Sequence, residues 1–367
     1  TLATLSRLTE RYGSTVVFST ATQPAFECLK TKISNYCHAG WNPHEIVPAN
    51  LRMFQRAKRT KVSWPSSDNR ISWIDLSARL SECEQVLCIV NLKKHARDLF
   101  ELVQEEQPAN TYHLSTSMCP AHRKHILNDV RQQLDNRKPC RLISTQCVEA
   151  GVDVDFPVVY RAMGPMDAIA QAAGRCNRNG RSESGDVIIF VPEVDGSLCP
   201  PGAYQQATGA TEAIIKTYES RQPSIDDPKL FEKYYRKLYD LNRPGDQNTE
   251  LTKAILRLDF IDVAKQYRLI DGPAINVLVP YDLDKLDRLC DELRESEKGM
   301  TRAWQAKARP YTVALYRPGA HEPFMEPVEE RYGSKEISDW YIYLKDHAAD
   351  YTRDLGLIPP NDNLLIA

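Results

Sequence analysis

No run of about 18 apolar residues occurs in this sequence of 367, so nothing in it has the length and hydropathy of a membrane-spanning helix. No leader-like pattern opens it, and it begins with Thr1 rather than Met, which reads as a fragment or a processed piece. No Cys-x-x-Cys pair stands among its ten cysteines. That excludes the usual zinc spacings and, at this length, a disulfide framework. Cys88, Cys140, Cys147 and Cys176 sit in or beside apolar runs, as reduced thiols do, so a reducing, cytoplasmic setting without a bound metal is expected. No excess of one charge is present: the formal net charge is -2, which excludes a uniformly basic coat for nucleic acid but leaves room for a local basic groove. No Gly-Lys dipeptide occurs, so the glycine-rich loop whose lysine cradles phosphates is missing.

What is there is globular: 42% hydrophobic and 26% charged residues, enough chain for two or three domains. STVVFS (14–19) is a β-branched run that ends in the polar turn STATQP. From 86 onward, short apolar runs alternate with helical spacings. VLCIV (86–90), YHLS (112–115), RLIST (141–145), PVVY (157–160) and DVIIFV (186–191) are the strands. Leu92, Ala96, Leu99, Phe100 and Val103 mark one helix. Pro120 opens a second, with Ile126, Val130 and Leu134 on its apolar face, and a third covers 166–174. Such alternation predicts an α/β fold with a mostly parallel sheet. Beyond about 195 the chain turns mainly helical, with probable strands at 275–280 and 311–316 around a charged helix at 282–298.

Three clusters carry chemistry. In QAAGRCNRNGR (171–181), a continuing helix would place Gln171, Arg175 and Arg178 on one face, with Gly174 leaving room beside them. Two guanidiniums and an amide suit a polyphosphate; a solvated, arginine-rich helix end is the plainer alternative. In STQCVEAGVDVDF (144–156), Thr145 closes a buried-type strand, where α/β sheets bind ligands. Its hydroxyl and the amides of the next turn can hold a nucleic-acid phosphate. Gly151 ends that turn, and Asp153 offers a carboxylate to a ribose or to an arginine; an ordinary surface aspartate is the alternative. In STATQP, Ser19, Thr20, Ala21 and Thr22 are small residues at a strand end, able to relay between a nucleotide and a neighbouring domain, or simply to make a turn. A basic stretch with Arg52, Arg56, Lys58, Arg59 and Lys61 has Phe54 and Trp64 near it, a composition that fits either a single-strand groove or a solvated loop. Trp304, Tyr311 and Tyr316 fit core packing better than base stacking. His122 and His125 stand at i and i+3 without an acidic partner, so no metal is assigned to them.

The order of these clusters, with an apolar strand ending in Asn91 between the first two, resembles motifs III through VI of superfamily-two helicases. YHLSTSMCPAHR (112–123), joined to QAAGRCNRNGR, narrows the resemblance to the type I CRISPR-associated helicase–nuclease. The likeness is specific over 86–191, moderate over 1–30 and thin after 200, where GAYQQATGAT and DFIDVAKQYRLID are similar to that family's C-terminal part. The resemblance implies RecA-like architecture: the end of a first RecA-like domain at 1–30, a second at 31–200, a helical linker at 201–255 and a smaller, mainly helical C-terminal domain at 256–367. It implies a 3′-to-5′ single-stranded DNA translocase driven by ATP and Mg²⁺ in antiviral CRISPR interference. Its partners would be a Cascade-type surveillance complex and the remaining helicase and nuclease domains. Arg175 and Arg178 would be arginine fingers. Gln171, Gly151 and Asp153 would face nucleotide, while Thr145, Gln146, His113, Ser115 and Asn91 would meet the DNA, and Ser19 to Thr22 would couple hydrolysis to domain movement. Without a Gly-Lys loop, an early Asp-Glu pair or a His-Asp dipeptide, the chain holds neither the ATP-anchoring half nor the nuclease centre, and by itself should not hydrolyse ATP. Two other readings stay open: another superfamily-two DNA or RNA helicase, and a binding module for single strands or proteins that turns over no ATP.

Overall fold

The computed structural model describes residues 2–20, 22, 24–51, 53–66, 69–218, 222–242, 249–267, 274–296, 299–318, 322–328 and 339–361. Ala21, Arg52, the end of the expected helix at 297–298, and 268–271 of DFIDVAKQYRLID fall outside the described residues, as does the Phe54 side chain.

Three helices, α1 (Leu2–Tyr12), α2 (Lys30–Ser34) and α3 (Met53–Arg56), precede the first strand. A six-stranded sheet follows: β1 (Thr60–Ser63), β2 (Gln85–Ile89), β3 (Thr111–Leu114), β4 (Cys140–Ser144), β5 (Val158–Ala162) and β6 (Gly185–Phe190). Its spatial order is β1-β6-β5-β2-β4-β3, and every pairing is parallel. Helices α4 (Trp73–Glu82), α5 (Lys93–Glu106), α6 (Pro120–Asp135) and α7 (Met166–Ala173) lie between the strands. The α/β fold with a mostly parallel sheet is thus present, and its central strands match the apolar runs of the sequence within one residue or so.

The unbroken run VLCIV follows from burial on both faces, because alternate side chains of a strand point to opposite sides. Val86, Cys88 and Val90 pack with Leu76 and Leu80 of α4 and Leu99, Phe100 and Val103 of α5. Leu87 and Ile89 face the other way, towards Val130 of α6, Ile169 of α7 and, further on, Leu230 and Tyr234. No residue of β2 beyond Gln85 reaches solvent.

Two expectations change. Residues 14–19 are not a strand; Val17 and Phe18 are exposed, and the sheet edges are occupied by β1 and β3. A β-branched run becomes a strand only where a neighbour accepts its backbone hydrogen bonds, and these residues have no such neighbour among the described ones. Conversely, Thr60–Ser63, a four-residue stretch inside the basic segment, forms β1 because β6 offers an edge in register with Gly185 to Ile188. Trp64 does not offer a stacking face. It is buried, and its indole N–H donates to the Pro223 carbonyl at 2.9 Å.

After the sheet come helices α8 (Ala203–Lys216), α9 (Pro228–Asn242), α10 (Thr249–Leu256) and α11 (Phe260–Gln266). A second sheet then gathers β7 (Ala274–Leu278), β8 (Thr312–Tyr316), β9 (Met325–Pro327) and β10 (Trp340–Tyr343) in the order β8-β7-β10-β9. Helices α12 (Leu283–Glu295) and α13 (Arg302–Ala308) pack on it through Leu286, Leu293 and Trp304. Trp304 is therefore a core residue. Strands β7 and β8 are the two expected from the sequence, while β9 and β10 add two more.

A short hairpin, β11 (Tyr351–Thr352) and β12 (Gly356–Leu357), returns to the start of α6. The Tyr351 hydroxyl meets His122 Nδ1 at 3.0 Å and accepts from the Cys119 amide at 3.1 Å, while His122 Nε2 lies 2.9 Å from the Arg353 carbonyl. Leu357 N–H donates to the Ser117 carbonyl at 2.8 Å. His122 is thus a structural clasp. Burial pushes its imidazole down to about 4 and that of buried His113 down to about 3, from 6.5. Both rings are neutral in the fold, whereas the unfolded chain protonates each below pH 6.5, so stability must fall as pH drops from 6.5. The slope reaches up to ~1.4 kcal/mol per pH unit for each ring. Chemical denaturation between about pH 6.5 and 5 should show this two-proton loss, and His122→Gln should remove about half of the slope. An unchanged slope in that variant would contradict the clasp.

Candidate functional site

In a parallel sheet the polar chemistry gathers where the strands end and the chain reverses direction across the sheet. Here those ends are β2, β4 and β5, with β2 between the other two. Asn91 follows β2. Its amide donates to the carbonyls of Met163 (2.8 Å) and Leu198 (3.1 Å), and its Oδ1 accepts from Arg161 (2.7 Å) and the Tyr204 hydroxyl (2.8 Å). Thr145 follows β4 and opens a single helical turn, Gln146–Val148. Its hydroxyl lies 3.5 Å from the Cys147 thiol, and the Gln146 amide donates to the Asn91 carbonyl at 2.9 Å. Gly151 ends the segment at φ +70°, a backbone conformation that a side chain would strain, although space beside it is open.

Three expected nucleic-acid contacts are corrected by this geometry. Asn91 (1% exposed), His113 (3%) and Ser115 (0%) are buried, so none offers a surface to DNA. Asn91 is spent on the four partners above, His113 packs on Phe100, and the Ser115 hydroxyl accepts from the Ser117 amide. Their residue types suited a strand path, but the elements over them fill the space.

The arginine segment departs from a continuing helix. Helix α7 stops at Ala173, and the chain turns at Gly174 to run beside Phe156: Arg175 accepts from the Phe156 amide and Phe156 from the Asn177 amide. The two carboxylate oxygens of Asp155 accept from the amides of Arg178 (2.7 Å) and Asn179 (3.2 Å), which fixes the turn. Gln171, Arg175 and Arg178 therefore do not share a helical face. Gln171 is half-buried on α7. Arg175 is buried, donating from Nε to the Val148 carbonyl (3.0 Å) and from Nη2 to that of Glu149 (2.5 Å). Burial lowers its guanidinium from the ordinary value, and the neighbouring Arg178 charge adds to that. Arg178 is exposed and paired with Asp153, Nε to Oδ1 at 3.0 Å.

Arg178 lines a cleft of about 1180 Å³ together with Ala170, Ala173 and Gly174. Ser19, Thr20, Thr22 and Arg59 line it too, and the Arg59 guanidinium donates to the Arg178 carbonyl. Thr22 is buried, its hydroxyl 3.1 Å from that of Tyr235 on α9, and Tyr234 beside it donates to Asp167 in the first turn of α7 at 2.9 Å. Two of the three sequence clusters thus line one cleft, and the third holds the arginine segment through Val148, Glu149, Asp153 and Asp155. Among the described residues, no group of three or more histidine, cysteine, aspartate and glutamate side chains is placed to hold a metal.

Sequence reasoning missed four side chains here. Arg161, at the end of β5, is wholly buried against Glu149, and a charge within the apolar run VVYRAM was the signal for it. Tyr204 reaches this pair from α8. Lys93, in the first turn of α5, is buried with no hydrogen-bond partner among the described residues, and burial pulls it down to about 8.

Residues 82–181 match a family model described as CRISPR-associated nuclease/helicase Cas3, C-terminal. That segment is Cas3-like. A Cas3 nuclease/helicase of Haloferax volcanii is 40% identical over 106 residues, 26% of this chain and 11% of that protein. The curated Cas3 relatives this chain matches are covered over no more than 28% of their length. The crystal structure of T. fusca Cas3 with ATP superposes on 82% of this chain and 40% of its own, with a TM-score of 0.52 at 14% identity. A chain of a CRISPR RNA-guided surveillance complex in a pre-nicking state superposes on 82% and 44%, with a TM-score of 0.50 at 16% identity. Those two likenesses show the fold, which is RecA-like. The resemblance found in STQCVEAGVDVDF and QAAGRCNRNGR is borne out over residues 82–181, which are similar to the C-terminal part of Cas3.

The Asp155 carboxylate holds the turn of the Cas3-like arginine segment through two amides. Asp155→Ala should cost about 1–3 kcal/mol in chemical denaturation and speed amide exchange at Arg178 and Asn179. A loss within ~0.5 kcal/mol, the range of an ordinary surface change, would show that the turn stands without it.

Proposed function

We propose that this chain is the rear half of an ATP-dependent, single-stranded DNA translocase that moves 3′ to 5′ in CRISPR interference. Residues 1–30 close a first RecA-like domain, 31–200 form the second, 201–255 link it, and 256–367 are the C-terminal domain. ATP and Mg²⁺ are held mainly by a partner domain bearing a phosphate loop, because this chain has no Gly-Lys dipeptide. The other partners are a Cascade-type surveillance complex and a nuclease domain, in the cytoplasm.

One observation carries this reading: Arg178 lines the same cleft as Ser19, Thr20 and Thr22. Arg178 acts as the arginine finger. Asp153 holds it at rest and releases it when a polyphosphate brings a stronger negative charge. Arg175, whose N–H groups are spent on backbone carbonyls, does not reach out; it ties the finger's turn to the Thr145 segment and lends positive charge behind it. Gln171 and Gly151 border the nucleotide without touching its terminal phosphate. The half-buried Gln146 and the backbone of the turn after Thr145, whose own side chain is buried, meet the DNA backbone, and Thr22 passes movement to α7 through Tyr235 and Tyr234.

In the complete protein, Arg178→Ala should lower DNA-stimulated ATP hydrolysis by about 10³-fold or more while single-strand binding stays within about threefold. Turnover within about tenfold of the parent protein would remove Arg178 from the chemistry. Intact strand binding without any hydrolysis in the parent protein would favour the binding-module reading instead.

A further inference from the structure

Arg161 is 0% exposed at the carboxyl end of β5, and its guanidinium reaches four groups. Nε lies 2.8 Å from Glu149 Oε1, and Nη1 donates to Asn91 Oδ1 (2.7 Å) and to the Ala162 carbonyl (2.9 Å). Nη2 donates to the Tyr204 hydroxyl at 2.9 Å. The planar fork of a guanidinium holds such partners at fixed angles, which an ammonium does not. Gly164 completes the packing: a Cβ there would come within 3.1 Å of the Tyr204 hydroxyl and 3.2 Å of Arg161 Nη2.

The partners belong to different parts of the candidate site. Asn91 receives the Gln146 amide on its own carbonyl, so it positions the turn proposed to meet DNA. Glu149 sits three residues after Gln146, and its carbonyl, with that of Val148, holds Arg175. Arg175 in turn lies three residues before Arg178. A displacement of the Thr145–Gln146 turn therefore cannot leave the arginine segment unmoved while the Arg161–Glu149 contact holds. A buried ion pair of this kind adds little net stability over apolar groups of the same volume, so its value lies in geometry.

Resting on the reading of the site as a helicase motor, we propose that Arg161 and Glu149 are the positioning pair through which single-stranded DNA at the Thr145–Gln146 turn switches on hydrolysis at Arg178. Neither residue touches nucleotide or strand. The pair transmits, and by reciprocity it also lets bound nucleotide alter the affinity for the strand.

The test uses the complete protein carrying Arg161→Met together with Glu149→Leu, an apolar pair of similar volume. Two quantities are measured: the ratio of ATP turnover with and without single-stranded DNA, and the ratio of DNA dissociation constants with and without a non-hydrolysable ATP analogue. The double variant should fold, keep DNA-free turnover within about twofold, and lose at least about tenfold of the DNA stimulation, with the second ratio moving towards one in parallel. A folded variant stimulated as strongly as the parent protein would overturn the proposal. Should the double variant fail to fold, Arg161→Lys decides, since it keeps the charge but removes the fork that holds Glu149, Asn91 and Tyr204 together; it should lower stimulation about threefold, and no change would again overturn the proposal. A parent protein whose turnover DNA does not stimulate would instead sink the motor reading itself, so the two failures are distinguishable.

Discussion

A parallel sheet packed by helices on both faces gives its strands no polar side. Every side chain of β2 beyond Gln85 is shut away, and β4 is buried along its whole length. Hydrogen-bonding side chains can then work only where a strand ends and the backbone changes direction, and the candidate site is made of three such ends: Asn91, Thr145 and Met163. Arg161, like the buried Arg141 of β4, departs from this: it is a full charge placed one step inside the boundary. It persists there because Glu149, Asn91, Ala162 and Tyr204 converge on it. Loss of any one partner would leave a buried donor unmet, a far larger cost than the gain from making the contact.

The same constraint explains what was legible in the sequence. Buried-type strands such as VLCIV and RLIST declare themselves by composition alone, and the order of motifs along them fixed the family resemblance. STVVFS has equal β-propensity, yet is no strand, because propensity describes a residue and pairing describes its neighbour. TKVS was missed for the opposite reason: four residues with three polar side chains carry no periodic signal, and only the edge of β6 recruits them. Strands β9 and β10 are likewise short and lack a clear alternation.

Site residues were legible by type rather than by direction. The arginines of QAAGRCNRNGR were found, but a helical projection placed Arg175 and Arg178 side by side in one cleft. Asp155 was the unseen determinant, since its carboxylate captures two amides and turns the chain before Arg178. Asn91, His113 and Ser115 matched a motif pattern, and nothing local in the sequence records that Leu198, Phe100 or the Ser117 backbone stands against them. Arg161 and Tyr204 lie 43 residues apart in the chain and share one hydrogen bond, a relation that no local window contains.

Gly356 has a bearing on how this chain can vary. It adopts φ +77° in the terminal hairpin, and a Cβ there would sit 2.5 Å from the Ser117 carbonyl. This turn is thereby moulded to one backbone atom of a loop almost 240 positions earlier. A side chain at 356 is not a local change: it would press the hairpin off the Ser117 backbone and off Met118, just before α6. Drift at 356 is therefore confined by the loop at 117, which makes the far end of the sequence the keeper of its middle.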